Sequence, residues 1–357
     1  MHIAFLIQDI TTEGGTERTT CCLATELAHR GHDVTIVSIF RNEQASKYTA
    51  DGVQMVFLTD SSYTLKDSAP KRFIKACGLR QTIRDCSVLQ EADVIICQKI
   101  LASYMAYMAG FAQKAVACEH FKYAMYNAPV RFARRWLYSH FHAIVTLTEK
   151  DRQLFIQEGL KNVYCIPNMV SIHPLPYRGS NSHRIVSVGR LTPQKGYDLL
   201  IEAVAQIVDK MEDFYVEIYG SGDLKEQLEQ QCTQLNLSNR IRFCGYHQSI
   251  EKIYADSAFY IMSSRFEGFP MVLLEAAAAG LPIVSFDCPE GPSILLKNGG
   301  GILVEKENVS ALASAILKMV QEPEFRALCH QQAESVVQPY RPEQIGTEWE
   351  QLIKQRK

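Results

Sequence analysis

Short, unbroken apolar runs alternate with longer amphipathic stretches along the chain. Residues 3–7 form the first run, a polar loop at 8–16 carries Gly14 and Gly15, and residues 17–30 place apolar side chains at helical spacing. Gly31 and His32 end that helix, and residues 33–40 form a second apolar run. Continuously apolar strands of this length suit burial on both faces. Two of them joined through a helix form a βαβ crossover, which requires a parallel sheet. The alternation predicts further strands over 54–58, 94–98, 115–118, 142–147 and 163–166, with helices over 70–84, 103–113, 129–141 and 149–158.

The pattern breaks at PNMVSIHPLPYRGSNSH (167–183), where three prolines stand among Ser, Asn and Gly without a period, as in a linker. It then resumes. Strands are predicted over 184–188, 214–219, 241–243, 258–262, 283–286 and 301–304, and helices over 196–209, 224–235, 250–255, 272–279 and 309–321. The expected class is α/β, with two doubly wound Rossmann-like domains facing across a cleft. Their expected bounds are 1–168 and 184–338, with a linker at 169–183 and a last helical segment, 339–357, able to cross back onto the first domain. Ligands of such sheets bind at the carboxyl ends of the strands.

Composition narrows the class. A chain of 357 residues accommodates two domains, and 47% hydrophobic with 21% charged residues is the balance of a soluble globular protein. A formal net charge of -2 argues against a general nucleic-acid binder. No apolar run approaches the roughly 18 residues of a membrane span. The start, MHIAFLIQDI, lacks a basic flank and meets Asp9 at once, so it does not read as a signal peptide. Eleven cysteines, an odd number without CxxC spacing, read as reduced thiols of a cytosolic protein rather than a zinc site or a disulfide framework.

Candidate chemistry gathers at four strand ends of the second half. In SVGRLTPQKG (187–196), Gly189, Arg190 and Lys195 follow a strand. A guanidinium fork with a mobile ammonium neutralises a diphosphate, although two loop cations read equally as solvated surface. In YGSGD (219–223), Gly220 permits either a tight turn or a close approach to a ligand. In RFCGY (242–246), Gly245 and Tyr246 end a strand that lines a base pocket or is merely buried. The fourth is SSRFEGFPMVLLEAAAAGLPIVSFD (263–287), with Glu267 in a loop and Glu275 inside the helix that follows. Pro270 suits the first helical position, Gly280 its C-terminal cap, and the N–H groups of Gly268, Phe269 and Met271 point outward as an anion site. Alone, the two glutamates read as a cap and a solvated helix residue. Between them, backbone donors suit a ligand with phosphate and hydroxyls, in outline a sugar nucleotide.

Taken in order, SVGRLTPQKGYDLLIEA, YGSGD, IRFCGY and the glutamate segment resemble the retaining glycosyltransferases of family 4, which have the GT-B fold. GGTERTT (14–20) is similar to that family's donor-side glycine loop. The resemblance implies that Arg190 and Lys195 bind the diphosphate and that Glu275 accepts from the ribose. It also implies that Glu267 holds hydroxyls of the transferred sugar beside the turn of Gly268, Phe269 and Pro270, and that Gly15 lets its loop approach the phosphates. His120, in CEHF, matches the family's cleft histidine, which contacts the sugar or its phosphate and is no covalent nucleophile. Glu119 beside it receives no role. The resemblance further implies a front-face mechanism and no metal or other cofactor, and no Asp-x-Asp motif occurs.

A nucleotide-sugar 2-epimerase of like architecture and a non-catalytic sugar-nucleotide-binding subunit of a larger synthase are the alternatives. The implied partners are a nucleotide sugar, most simply UDP-linked, and a glycan or lipid-linked glycan acceptor in envelope polysaccharide synthesis, with no nucleic acid. Two basic stretches of the first half bear on the acceptor. Lys71, Arg72, Lys75, Arg80 and Arg84 interleave with Phe73, Ile74, Cys77 and Leu79, and RFARRWLY follows at 131–138. Such helices lie peripherally on anionic membrane at the cytoplasmic leaflet, or are packed helices with a solvated basic face.

Overall fold

The apolar runs become the strands of two separate sheets, both wholly parallel. The computed structural model describes residues 1–60, 69–120, 123, 127–170, 172, 175–247, 249–289 and 291–355, without the side chains of 69–73 and 334. The chain divides into unit 1, Met1–Ser171 with Tyr340–Lys357, and unit 2, Ile172–Pro339.

Unit 1 holds β1 (His2–Ile7), β2 (Asp33–Ser38), β3 (Gln54–Phe57), β4 (Val94–Gln98), β5 (Ala115–Glu119), β6 (Ala143–Thr146) and β7 (Val163–Cys165), in the order β3-β2-β1-β4-β5-β6-β7. Both faces are covered, so the strands have no polar side. Ala4 and Leu6 of β1 enter one core with Ile95 and Cys97, whereas Ile3, Phe5 and Ile7 enter another with Leu23, Leu27 and Trp349. Trp349 belongs to the last helix, Pro342–Lys354, which packs on helix Gly15–His29. Arg30 Nη1 reaches Glu350 at 3.2 Å and His32 Nε2 lies 3.0 Å from the same carboxylate. Hydrogen bonds from Lys354, His32 and Arg30 hold the Glu350 carboxyl down to about 2.

Unit 2 holds β8 (Arg184–Val188), β9 (Tyr215–Tyr219), β10 (Ile241–Gly245), β11 (Phe259–Met262), β12 (Ile283–Asp287) and β13 (Gly301–Glu305), in the order β10-β9-β8-β11-β12-β13. Strand order reverses between β8 and β11, whose residues Ile185 and Val186 pair with Phe259 and Tyr260. Chains leaving a reversal point diverge to opposite faces, opening a crevice at the carboxyl ends. That crevice lies between the loop after β8 and the loop after β11.

The elements depart from the sequence expectation in several places, among them the short helices Ser87–Glu91 and Pro292–Leu295, which it did not contain. The helix expected over 70–84 is two, Ala69–Gly78 and Arg80–Asp85, interrupted after Gly78. The helix expected from 103 begins at Lys99, directly after β4. A helix at Pro323–Val337 was not anticipated, because its buried side includes Arg326 and the small Cys329 and Ala333 rather than a clean apolar stripe. The glutamate helix spans Met271–Ala278, one residue earlier than expected.

Candidate active site

At the reversal point of unit 2, β8 ends in Gly189 and Arg190, and a turn through Pro193–Lys195 leads to helix Tyr197–Ala205. From β11 the chain passes through buried Ser263 and Ser264 to Glu267. The two loops meet in side chains and backbone. Lys195 Nζ lies 2.7 Å from Glu267 Oε1, and Ser264 Oγ donates to the same oxygen at 2.6 Å. Glu267 Oε2 has no partner among the described residues. A lysine ammonium has three donors, and Glu267 takes one. The pair therefore keeps both an open acceptor and open donors. Ser263 Oγ donates to Lys195 O at 2.9 Å. Gly196, at φ +64, sits so tightly on this loop that a Cβ would lie 2.1 Å from Ser263 O, and only glycine fits.

Glu275 lies in the second turn of helix Met271–Ala278 and is 2% exposed. The hydroxyl of buried Tyr260 donates to Val188 O at 3.2 Å. Burial, then Tyr197, Glu267 and Glu275, push that hydroxyl well above the ordinary tyrosine range. Both glutamates thus act on one tyrosine, and the structure brings Gly189, Lys195, Glu267 and Glu275 into one neighbourhood. Arg190 is exposed in the loop between them.

Two expectations at the start of the glutamate helix are corrected. The Met271 N–H does not point outward: it donates to Phe269 O at 2.9 Å. Pro270 has φ -78 and ψ 78, the centre of an inverse γ-turn, so it caps the helix rather than filling its first position. The Met271 N–H is therefore withdrawn from the donors expected at this turn. In YGSGD the close approach is to protein: a Cβ on Gly220 would lie 2.0 Å from Gly189 O. Gly220 N also donates to Gly245 O at 2.8 Å, which joins the ends of β9 and β10. Tyr246 follows with its ring exposed.

Sequence reasoning missed Asp198 and Arg265. Arg265 Nη1 and Nη2 meet Asp198 Oδ1 and Oδ2 at 2.8 and 2.6 Å. Sixty-seven positions separate them, and no local spacing signals the pair.

In unit 1 the order reverses between β1 and β4, and the neighbouring strand ends carry polar groups. Gly15 opens helix Gly15–His29 with open space where a Cβ would be. Lys99 follows β4 at φ +70, a left-handed conformation costly for a side-chain residue, and its Nζ lies 3.4 Å from buried Glu17 Oε1. His120 follows β5. Its Nε2 bonds Gln98 Oε1, which only accepts, so Nε2 carries the proton and Nδ1 keeps its lone pair. Burial, reinforced by Lys99, lowers the imidazole to about 3. His120 is a neutral acceptor at physiological pH. The cavity beside it, lined by residues including Thr20, Gln98 and Trp349, is about 30 Å³, room for about two waters.

Glu119 has a structural role. Its buried carboxylate accepts from Tyr138 and lies 3.5 Å from Arg134 Nη1. Arg134, one of the basic residues of RFARRWLY, is fully buried, its guanidinium 4.5 Å from the Phe155 ring centre. The exposed side of helix Ala128–Tyr138 instead presents Phe132, 74% exposed, and Trp136, 51% exposed, beside exposed Arg135. On the preceding stretch Ile74 is 70% exposed next to Lys75, while the side chains of Lys71 and Arg72 lie outside the described residues.

Residues 178–336 match the family model for glycosyl transferases group 1, and residues 13–173 match that for glycosyltransferase family 4. An uncharacterized glycosyltransferase of Haemophilus influenzae is 28% identical, over 98% of this chain and 99% of its own. The amylovoran biosynthesis glycosyltransferase AmsD of Erwinia amylovora is 24% identical over 98% and 99%. Among solved structures, S. aureus TarM bound to Fondaparinux, alpha-GlcNAc-glycerol and UDP superposes with a TM-score of 0.79 at 16% identity, covering 99% of this chain and 100% of that one. Anabaena HepE bound to UDP and glucose gives 0.77 at 20% identity, with both chains fully covered.

Proposed function

Since the chain belongs to the group 1, family 4 glycosyltransferases, retaining enzymes of GT-B fold that use nucleotide sugars, we propose that it transfers a hexosyl unit from a UDP-sugar to a lipid-linked glycan in cell-envelope polysaccharide synthesis. One observation carries the donor assignment: the Lys195–Glu267 pair at the reversal point of unit 2, with Glu275 buried in the next helix.

The charges and open atoms suggest a division of roles. As the bond from sugar to phosphate breaks, the departing diphosphate gains negative charge. Arg190 and the remaining donors of Lys195 offset that charge more in the transition state than in the ground state, which is what accelerates transfer. Glu267 Oε2 accepts from a hydroxyl of the transferred sugar, and Glu275 accepts from the ribose. The turn of Gly268, Phe269 and Pro270 borders the transferred sugar and its phosphate, and the loop at Gly15 approaches the phosphates. Gly245 and Tyr246 border the base. His120, neutral with Nδ1 as acceptor, takes a sugar hydroxyl. No carboxylate serves as nucleophile, and a donor phosphate oxygen receives the acceptor's proton on the same face.

The similarity to the amylovoran biosynthesis glycosyltransferase AmsD, and to the UDP complexes of TarM and HepE, supports polysaccharide synthesis and a UDP donor. The lipid-linked acceptor rests on the exposed Phe132 and Trp136 flanked by arginine, a face suited to the cytoplasmic surface of an anionic membrane. No helix among the described residues is long and apolar enough to cross a membrane.

A thermal-shift screen of UDP-, GDP-, ADP- and dTDP-sugars tests the donor. Ligands that bind only the folded state raise its apparent stability, so a UDP-sugar should give the largest shift, and UDP itself a smaller one. A larger shift with another nucleotide would overturn the base assignment.

A further inference from the structure

We infer that the Asp198–Arg265 pair is a positioning device for transfer: it fixes, relative to each other, the two loops that carry Lys195 and Glu267. The inference rests on the reading of unit 2 as the donor site.

Every bond of the device joins the loop after β11 to the loop after β8 or to the first turn of the helix that follows that loop. The guanidinium of Arg265 meets both oxygens of Asp198, at 2.8 and 2.6 Å, and its Nη1 also donates to Pro193 O at 2.8 Å. The Arg265 N–H donates to Gln194 O at 2.8 Å, and Gln194 Nε2 returns a bond to Phe266 O at 3.0 Å. These contacts bracket Lys195 on one loop and stop one residue short of Glu267 on the other. None of them uses the Lys195 ammonium or the Glu267 carboxylate, whose 2.7 Å contact stays available to a ligand.

A partly exposed ion pair contributes little to stability, and these side chains are 26% and 36% exposed. What a bidentate guanidinium–carboxylate pair does supply is direction, because its two parallel bonds fix both position and plane. Asp198 also stands in the first turn of helix Tyr197–Ala205, where a carboxylate complements the helix dipole. The arginine of one loop is thereby referenced to the helix that anchors the other. Small displacements of charged groups at a reacting centre cost rate far more than they cost binding.

The test uses the full chain with Arg265→Ala, Arg265→Lys, Asp198→Asn and the Arg265→Ala/Asp198→Asn double variant. Hydrogen exchange of peptides spanning 190–198 and 263–270 is measured alongside kcat, KM and UDP affinity. Either single change should raise exchange in both loops and lower kcat at least ten-fold, with UDP Kd within about three-fold of wild type. Arg265→Lys, which keeps the charge and loses the fork, should stay low, and the double variant should be no worse than the poorer single. Unchanged exchange in the partner loop, an unchanged kcat, or multiplying losses in the double variant would each overturn the inference. Failure of the donor-site reading looks different: the wild type itself would neither bind UDP nor turn over a UDP-sugar. The exchange measurement still decides the loop coupling in that case.

Discussion

Lys195 and Glu267 lie 72 positions apart and meet at 2.7 Å because β8 and β11 are neighbours at a strand reversal. Each was legible separately, as a loop cation and a loop carboxylate beside glycines, but their direct contact was not. Sequence reports residue types at strand ends, whereas a pairing depends on which strands adjoin. The Asp198–Arg265 pair stayed hidden for that reason, and the Met271 N–H was misassigned because Pro270 adopts a γ-turn that no residue type specifies. His120 allows a test at this scale. Its imidazole is lowered to about 3 by burial and by Lys99, below the roughly 6.5 of an unfolded histidine. The unfolded chain therefore binds more protons between these values. Stability from this group is fully present above pH 6.5 and is lost as pH falls toward 3. NMR titration of the ring should show a neutral imidazole, protonated on Nε2, from pH 8 down to about pH 5. A midpoint near 6.5 would refute the neutral-acceptor role.

Helices and strands with a clean period were the most legible elements: β8, helix Ile250–Ala255 and helix Val309–Gln321 have the bounds their patterns predict. Helix Pro323–Val337 was illegible because small and charged residues fill its buried side. Helix Ala128–Tyr138 was legible, but which of its residues are buried was not. Of the cations in RFARRWLY, Arg134 points inward to Glu119, and apolar Phe132 and Trp136 point outward. A membrane contact built on this helix should then depend more on insertion of the two rings than on charge. The double change Phe132→Ser/Trp136→Ser should cut co-sedimentation with anionic vesicles about ten-fold or more. Arg135→Ala should cut it two- to five-fold and sensitise it to salt. Equal binding by the ring variant and wild type would leave this face without a membrane role.

At the scale of the whole molecule, two doubly wound sheets could be read from the alternation alone, since parallel strands announce themselves as continuous apolar runs. The destination of the last helix could not, because an amphipathic segment does not say which surface it covers. It completes unit 1, burying Ile345, Trp349, Leu352 and Ile353 beside β1 and helix Gly15–His29. At about 1.5 to 3 kcal/mol per buried side chain, their exposure would cost roughly 6 to 12 kcal/mol, comparable with the net stability of a whole domain. Residues 1–171 expressed alone should therefore fail to give a cooperative melt, and should be digested by chymotrypsin within minutes. Unit 2 is continuous in sequence, and its core is drawn from its own residues. Residues 172–339 alone should melt cooperatively and show a UDP-dependent thermal shift. A cooperative fold for 1–171 would mean that the last helix merely rests on unit 1. Loss of all UDP response in a folded 172–339 fragment would move the principal donor contacts out of unit 2.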